Sequence, residues 1–579
     1  LKNVVSIELA FLEWWATIMW KYFVRLSRSL RKSRGSASKF ELHQVAEELA
    51  KEEKLSLDIS HPALLRTIPL MSLLAGFGRQ FKARDLAGQS FSEEEARVMY
   101  AMSRKVPHID RFVSHCWQSS RIGKAVALAI HSNIAAATIV SVTMMALTAV
   151  IQMQGWLPLV HCNSFYCRNG MTFFPYCCFV GSFFFFVTLF YWHIVPDYMG
   201  LGKGYFFDKL CIHQYDKGRQ TAGILSFAAI VSKSKELILL WDSRNFTRLW
   251  CVLEVAALVK THKNERLPLV FIPLELAILA LLGWLFLTFI LVVLAVNQVF
   301  DEVIPADALL AGTAVVAVYT CVRASRTYLV QRKALSVQLE AFKVADAECF
   351  LERDRTLVNE TLIEWFGSLD AFDEHVHTTL KEKILYTIGS ELHYPFRYIW
   401  PLVPILVFGR IDLILAGRLS LNIPEDESQA SHAIGMISFA FLSLTLFPVV
   451  LRVANLYAEK LETWWKDIAL NIALTLVFLT YAEGTVYMSS NIMQREALYV
   501  TIPYLTLCIA WAAWLLRCSV HLPGASAMSA DDLAWADTIE HIEPQVSLQS
   551  VRSELATCSH SESISESQVI ESELGTTAI

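Results

Sequence analysis

Arg111-Phe-Val-Ser-His-Cys-Trp117, Tyr205-Phe-Phe-Asp-Lys-Leu-Cys-Ile212 and Glu236-Leu-Ile-Leu-Leu-Trp241 decide the reading of this chain. Each is a short run of β-branched, aromatic and aliphatic residues with polar residues around it, the pattern of a buried strand. Between the second and third, residues 213–220 read as a polar loop around Gly218. Residues 221–232 then place Ile224, Phe227, Ala228 and Val231 on one helical face. Asp242-Ser-Arg-Asn245 supplies turn and capping residues, 248–261 reads as a helix, and Leu267-Pro-Leu-Val-Phe-Ile272 as a further strand. Strands alternating with helices imply a parallel sheet with helices on its faces. Ligands of such sheets bind beyond the C-terminal ends of the strands.

The rest of the chain has a different character. Of 579 residues, 54% are hydrophobic and only 18% charged, against about 25% charged in soluble domains. Eight runs approach the ~20 apolar residues that cross ~30 Å of hydrocarbon. They cover 134–153, 173–195, 276–297, 304–322, 395–416, 434–453, 468–488 and 497–516. The fifth is interrupted by Arg410 and Asp412. The fold class expected is therefore an α-helical polytopic membrane protein carrying a small cytosolic α/β domain with a flavodoxin-like parallel sheet.

Loop charge orients the spans. The loop 154–172 holds one basic residue, Arg168, and 298–303 holds none. Eleven Lys and Arg lie between Lys203 and Arg266, and many more lie in 323–390. Both termini and the long polar segments are thus expected in the cytosol. The sequons Asn245-Phe-Thr247 and Asn359-Glu-Thr361 would stay unmodified there, and Cys162 and Cys167 would face outward as a candidate disulfide pair. The expected organisation is a cytosolic helical or interfacial region over 1–105 and the α/β domain over 106–272, interrupted by a hairpin at 134–195. A second hairpin at 273–323, a cytosolic helical segment at 324–393, a four-helix membrane bundle at 394–517 and a disordered Ser/Glu-rich tail at 518–579 follow. Residues 4–23 read as an interfacial helix preceding a basic run, and the start at Leu1 suggests a fragment.

The order of parts around the sheet resembles the Toll/interleukin-receptor (TIR) domain. The resemblance lies in the first strand ending His-Cys-Trp, the second strand, the Gly-containing loop and the apolar third strand. Above all it lies in Phe246-Thr-Arg-Leu-Trp250-Cys251-Val-Leu-Glu254, and it spans about 75 residues, 111–117 and 205–272. The chain departs from the pattern where the first two spans replace or interrupt the family's first helix, and where no clear final strand and helix follow Ile272 before the next span. The resemblance implies signalling by assembly with like domains. Because some TIR domains hydrolyse NAD through the glutamate of this helix, it also implies Glu254 as a catalytic carboxylate. Cleavage of the nicotinamide–ribose bond builds oxocarbenium-like charge that one ionised carboxylate can stabilise. The strand ends and loop add His115, Trp117, Asp208 and Gln214 as binding candidates, with NAD as substrate rather than resident cofactor.

Other readings carry less. His115, Cys116, Cys211 and His213 have zinc-ligand chemistry, but successive strand residues point to opposite faces, so no metal site is expected. His375 and His377, two apart on a helix, do not share a face and read as surface histidines. Leu335, Leu339 and Phe342 share one helical face. Arg410, Asp412 and Glu483 lie in or near spans, where Arg410 would pair with one of the acids. Intramembrane charge makes a channel or transporter the alternative function. No phosphate-binding Gly-x-x-x-x-Gly-Lys loop and no basic–aromatic nucleic-acid pattern occurs. Expected partners are the bilayer and self-association or other TIR-like domains.

Overall fold

The computed structural model describes residues 55, 57, 59, 61–82, 91–161, 171–173, 175–262, 267–299, 306–349, 352–388, 401, 403–404, 407–408, 411–412, 427–458, 463–494 and 498–520. The 4–23 helix, the Cys162–Cys167 pair, Arg410, most of the fifth span and the Ser/Glu-rich tail fall outside these residues.

Among the described residues eight strands run in chain order: β1 Arg66–Pro69, β2 Arg104–Lys105, β3 Ile109–His115, β4 Leu159–His161, β5 Met171–Phe173, β6 Gly204–Phe206, β7 Ser234–Trp241 and β8 Leu269–Pro273. Six of them form one sheet in the order β2-β1-β6-β3-β7-β8, and β4 pairs with β5 in a separate two-stranded ribbon. Strands β6, β3, β7 and β8 are mutually parallel, while β1 and β2 add on antiparallel at one edge. The first parallel strand therefore lies between the second and the third, as in doubly wound sheets. Region 1–105, read from sequence as helical, contributes β1 and β2. Arg66-Thr-Ile-Pro69 is too short, and β2 too polar, for a periodicity to declare itself.

Register locks the sheet through one polar row. Arg111 lies opposite Tyr205 on one side and Glu236 on the other. Its Nε donates to Glu236 Oε2 at 2.9 Å and its Nη1 to the Tyr205 hydroxyl at 2.7 Å. One residue on, Phe112 stacks on Phe206 with centroids 5.1 Å apart. Ile109, Phe112, Leu237, Ile238 and Leu240 are fully buried, each contributing about 1.5–3 kcal/mol.

The second strand is shorter than the sequence suggests. It ends at Phe206, and a one-turn helix, Asp208–Cys211, follows. Gly218 lies in a helix, Lys217–Leu225, because Asp216 accepts the Arg219 N–H at 3.2 Å as N-cap and starts the turn two residues before the glycine. The helix expected over 221–232 breaks at Ser226, and Phe227–Ser232 completes it.

The link between β3 and β6 opens with one continuous helix, Arg121–Met153, capped by the Ser120 hydroxyl, which accepts from the Gly123 N–H at 3.2 Å. At 1.5 Å per residue its 33 residues span about 50 Å. That exceeds the ~30 Å of a bilayer core by about a dozen residues. Those first turns, including Ala127, Leu128 and Ile130, are buried against the sheet. The crossover helix is thus present and runs straight on into the apolar stretch, rather than being replaced by it. Helix Tyr176–Tyr191 returns alongside. The two meet closely at Gly181, where an added Cβ would lie 2.3 Å from Met145 Cγ, and where Ser141 Oγ donates to the Gly181 carbonyl at 2.8 Å.

Strand β8 leads directly into helix Leu274–Val299, and helix Ala306–Glu340 follows. The latter carries Arg326, which is buried and reaches Asp467 Oδ1 at 2.8 Å and Asn471 Oδ1 at 2.7 Å. Further along it Gln331 bonds Glu275 and Gln338 donates to the Ser243 carbonyl, while Leu335 and Leu339 are fully buried, as their periodicity implies. His375 and His377 are half-buried rather than on the surface; His377 Nε2 lies 2.7 Å from the Phe342 carbonyl and His375 packs on Phe366. Helices Glu427–Leu456, Trp464–Gln494 and Leu498–Val520 complete the described chain. Among the described residues three helical stretches are long and apolar enough to cross a membrane: Arg121–Met153, Ile437–Leu456 and Trp464–Ala482.

Candidate functional site

The parallel strands β3 and β7 end side by side at His115 and Trp241, and helix Leu249–Thr261 packs beneath them. No capping side chain starts that helix. Instead the Leu249 N–H donates to the Glu348 carbonyl at 3.1 Å and Arg248 pairs with the Glu348 carboxylate at 2.6 Å, which ties the helix start to the segment beyond the second hairpin. Cys251 is buried and its thiol points at the His115 carbonyl, 3.7 Å away. Trp250 is half-buried and donates to Asp354 at 3.3 Å.

One turn on, Glu254 is only 7% exposed, and its Oε2 has no hydrogen-bond partner among the described residues. Burial pushes its carboxyl up to about 8, against the opposing pull of the Ser114 hydroxyl beside it, and the Asp208 charge raises it further. At neutral pH Glu254 is therefore chiefly a neutral acid. Asp208 opens the short helix after β6 rather than sitting in the strand. Burial pushes it up to about 6, opposed by the Lys209 N–H, the Lys209 charge and the Trp117 indole.

His115 is buried against aromatic rings: Phe207 stacks on it at 5.2 Å and Trp117 meets it edge-on at 4.6 Å. Desolvation, helped by the positive charges of Lys124 and Lys209, holds its imidazole well below the usual histidine range, and its Nε2 has no partner among the described residues. The structure thus brings His115, Trp117, Asp208 and Glu254 together at one end of the sheet. Gln214 stands apart in use: its amide donates to the Ile212 carbonyl at 3.0 Å and the Asp208 carbonyl at 3.4 Å, so it holds the loop's own backbone.

Lys124 is the residue that sequence reasoning missed. It is 0% exposed, its Nζ has no hydrogen-bond partner among the described residues, and it lies 5.8 Å from the centroid of the Phe81 ring. Asp208, Asp242, Cys116 and Cys251 are within electrostatic reach of it. A lysine just ahead of an apolar run reads as a snorkelling residue, and nothing in the spacing reveals that the helix start is roofed by the Phe81 segment. Among the described residues no group of three or more His, Cys, Asp or Glu is placed to hold a metal ion.

Chemically, this is a desolvated cluster of mixed polarity: a neutral acid, a neutral imidazole, a half-buried carboxyl and a buried amine. Such clusters occur at functional sites, where unpaired groups await a ligand or a proton. Glu254 would stabilise oxocarbenium-like charge only as a carboxylate, which its burial disfavours. Compared with known protein families, with curated proteins and with solved structures, the chain matches none.

Proposed function

We propose that the chain is a membrane-tethered signalling protein, multi-pass, with its long polar segments and both termini in the cytosol, whose TIR-like α/β module works by assembling with itself or with modules of the same kind. The tether is supported by the single helix Arg121–Met153, which begins as the sheet's crossover and continues as an apolar stretch of membrane-crossing length. Assembly is favoured over NAD hydrolysis by one observation: Glu254 is buried, and that burial pushes its carboxyl up, toward the neutral form. NAD hydrolysis by Glu254 remains the enzymatic extension, needing an opening that ionises it.

The test is nicotinamide release from NAD by concentrated full-length protein in lipid nanodiscs, wild type beside Glu254→Ala and the isosteric Glu254→Gln, with self-association followed in parallel. The reading expects self-association and no release above background. Release that both substitutions abolish would make the protein an NAD hydrolase.

One observation favours the channel or transporter alternative. Asp412 is 1% exposed within the first hairpin's surroundings; it accepts from Gln152 Nε2 at 2.8 Å and the Cys177 N–H at 3.3 Å, and its Oδ2 has no partner among the described residues. Among the described residues its polar partners are Gln152 and Cys177; the expected pairing of Arg410 with Asp412 or Glu483 lies outside the described residues. Ion or proton flux through reconstituted protein, lost in Asp412→Asn while Glu254→Gln is without effect, would establish that alternative.

A further inference from the structure

Leu70-Met-Ser-Leu-Leu-Ala-Gly-Phe-Gly78 starts as a helix and breaks within its own length. Ala75 turns extended at ψ 132°, and Gly76, Phe77 and Gly78 follow with φ of 60°, 52° and 70°. Phe77 is the sole non-glycine with positive φ among the described residues, a conformation that a β-carbon disfavours. Gly78 has a reason: a Cβ there would lie 2.8 Å from the Ala125 Cβ, so its absence lets the segment approach the crossover helix. Phe77 is not confined in this way: its side chain stays 61% exposed and its ring meets the edge of Phe190, at 6.2 Å between centroids. Strained residues of this kind concentrate where a ligand is clamped.

Beneath the break lies a cavity of about 330 Å³ whose walls include Leu74, Phe77, Ala125, Ala129, Phe190 and His193. Its volume falls within the ~300–1,000 Å³ of small-molecule pockets. Two of its walls are the helices of the apolar hairpin, at the end where they leave the α/β domain. Exposed Ile122 and Tyr191 also line it, and Trp192 and Tyr198 are exposed close by in sequence. Aromatic residues of this type mark the level of a bilayer's interface. The polar side chains in the lining are Tyr191 and His193. The His193 Nδ1 faces the Asn133 amide nitrogen at 3.1 Å, and that amide also donates to the Leu189 carbonyl at 2.8 Å. With the amide as donor, the neutral ring carries its proton on Nε2. That makes His193 an N–H donor in a lining whose other polar side chain is Tyr191.

We infer that this cavity binds an acyl chain of a bilayer lipid, with His193 meeting the ester carbonyl at its head and Phe77 closing over the chain. The inference rests on the membrane reading above. An acyl chain is the one apolar ligand that the hairpin's own surface already requires as solvent, and its ester oxygen accepts a hydrogen bond from a donor such as the His193 ring.

The experiment uses full-length protein in nanodiscs containing a phosphatidylcholine with a photoactivatable diazirine in one acyl chain. Labelled peptides are mapped for wild type, for Ala129→Trp, which fills the cavity, and for Leu74→Trp as a second filling variant. Ile139, exposed on the outer face of the Arg121–Met153 helix, serves as the reference for ordinary lipid contact. The expected result is labelling of the 70–78 segment and of Ile139 in wild type, with the former falling at least about five-fold in either filling variant and the latter unchanged. Labelling at Ile139 with none in 70–78, as a peptide or second protein copy seated in the cavity would give, overturns the inference and leaves the membrane reading standing. So does labelling of 70–78 that both fillings leave intact. No labelling at Ile139 overturns the membrane reading and the inference with it.

Discussion

Replacing Glu254 by Gln keeps the shape of the neutral acid and removes its proton. In the folded protein burial raises the carboxyl from 4.5 to about 8. Between those values the folded state holds a proton that the unfolded chain has released. Opening therefore releases a proton, and stability falls as pH rises through the window, levelling above about 8. At about 1.4 kcal/mol per pKa unit, the linkage between pH 6.5 and pH 8.5 amounts to about 2 kcal/mol. Within that window Asp208, at about 6, is already mostly ionised at the lower edge and the depressed His115 is neutral, while Lys124, lowered by burial to about 8, titrates with the opposite sign; the difference between wild type and Glu254→Gln isolates Glu254. The assay is hydrogen exchange of the amides of helix Leu249–Thr261 in full-length protein in nanodiscs, corrected for the intrinsic pH dependence of exchange. Relative to Glu254→Gln, which shares every other titrating group, wild-type protection should fall about 30-fold across the window, because about 1.4 kcal/mol is a factor of ten. Wild type and variant tracking one another would refute the reasoning. Glu254 would then be ionised at neutral pH, and the case for catalysis would strengthen.

Three further outcomes follow from packing and charge. Arg326→Ala leaves the partly exposed Asp467 and the buried Asn471 without their cation and should cost about 1–3 kcal/mol, read as an earlier thermal transition in detergent, whereas Arg326→Met should cost less. Gly181→Leu drives a side chain into Met145 and should lower stability by about 1–3 kcal/mol, with Met145→Ala restoring part of the loss. Lys124→Met removes an amine that is buried without a hydrogen bond among the described residues, so apparent stability in denaturant should hold or rise; a loss above about 2 kcal/mol would mean that the amine is paired in the intact protein.

Where the sequence is periodic or continuous, it was legible. Leu237 to Trp241 is an unbroken buried run and forms the long strand β7, and Leu335 and Leu339 recur one helical turn apart and are buried as a face. The convergence of His115, Trp117, Asp208 and Glu254 was accessible because strands in a parallel sheet end together. The misses have local causes. Asp208 looks like part of a strand because Tyr205-Phe-Phe-Asp-Lys-Leu-Cys-Ile212 is apolar on both sides of it, yet its carboxylate accepts the Lys209 N–H at 2.6 Å in the turn that ends β6. Gln214 looks like a ligand-facing amide because loops carry such residues, but two backbone carbonyls already take its donors. The seamless passage from crossover helix to apolar stretch is invisible to composition, since 123–130 and 134–153 are both apolar and differ only in what covers them. Lys124 and Phe77 owe their settings to segments far away in sequence, and no local pattern announces either.

The central claim is that an apolar hairpin carries the chain across a membrane between β3 and β6 and returns it to the same side. A segment bearing an Asn-x-Thr glycosylation acceptor, flanked by a flexible spacer, can be inserted after Asn163, and the same segment appended after Ile579. Both proteins are then made in the presence of microsomes. The account predicts glycan on the inserted acceptor and none on the appended one, with Asn245 and Asn359 unmodified. Glycan on the appended acceptor alone, or on neither, would contradict it.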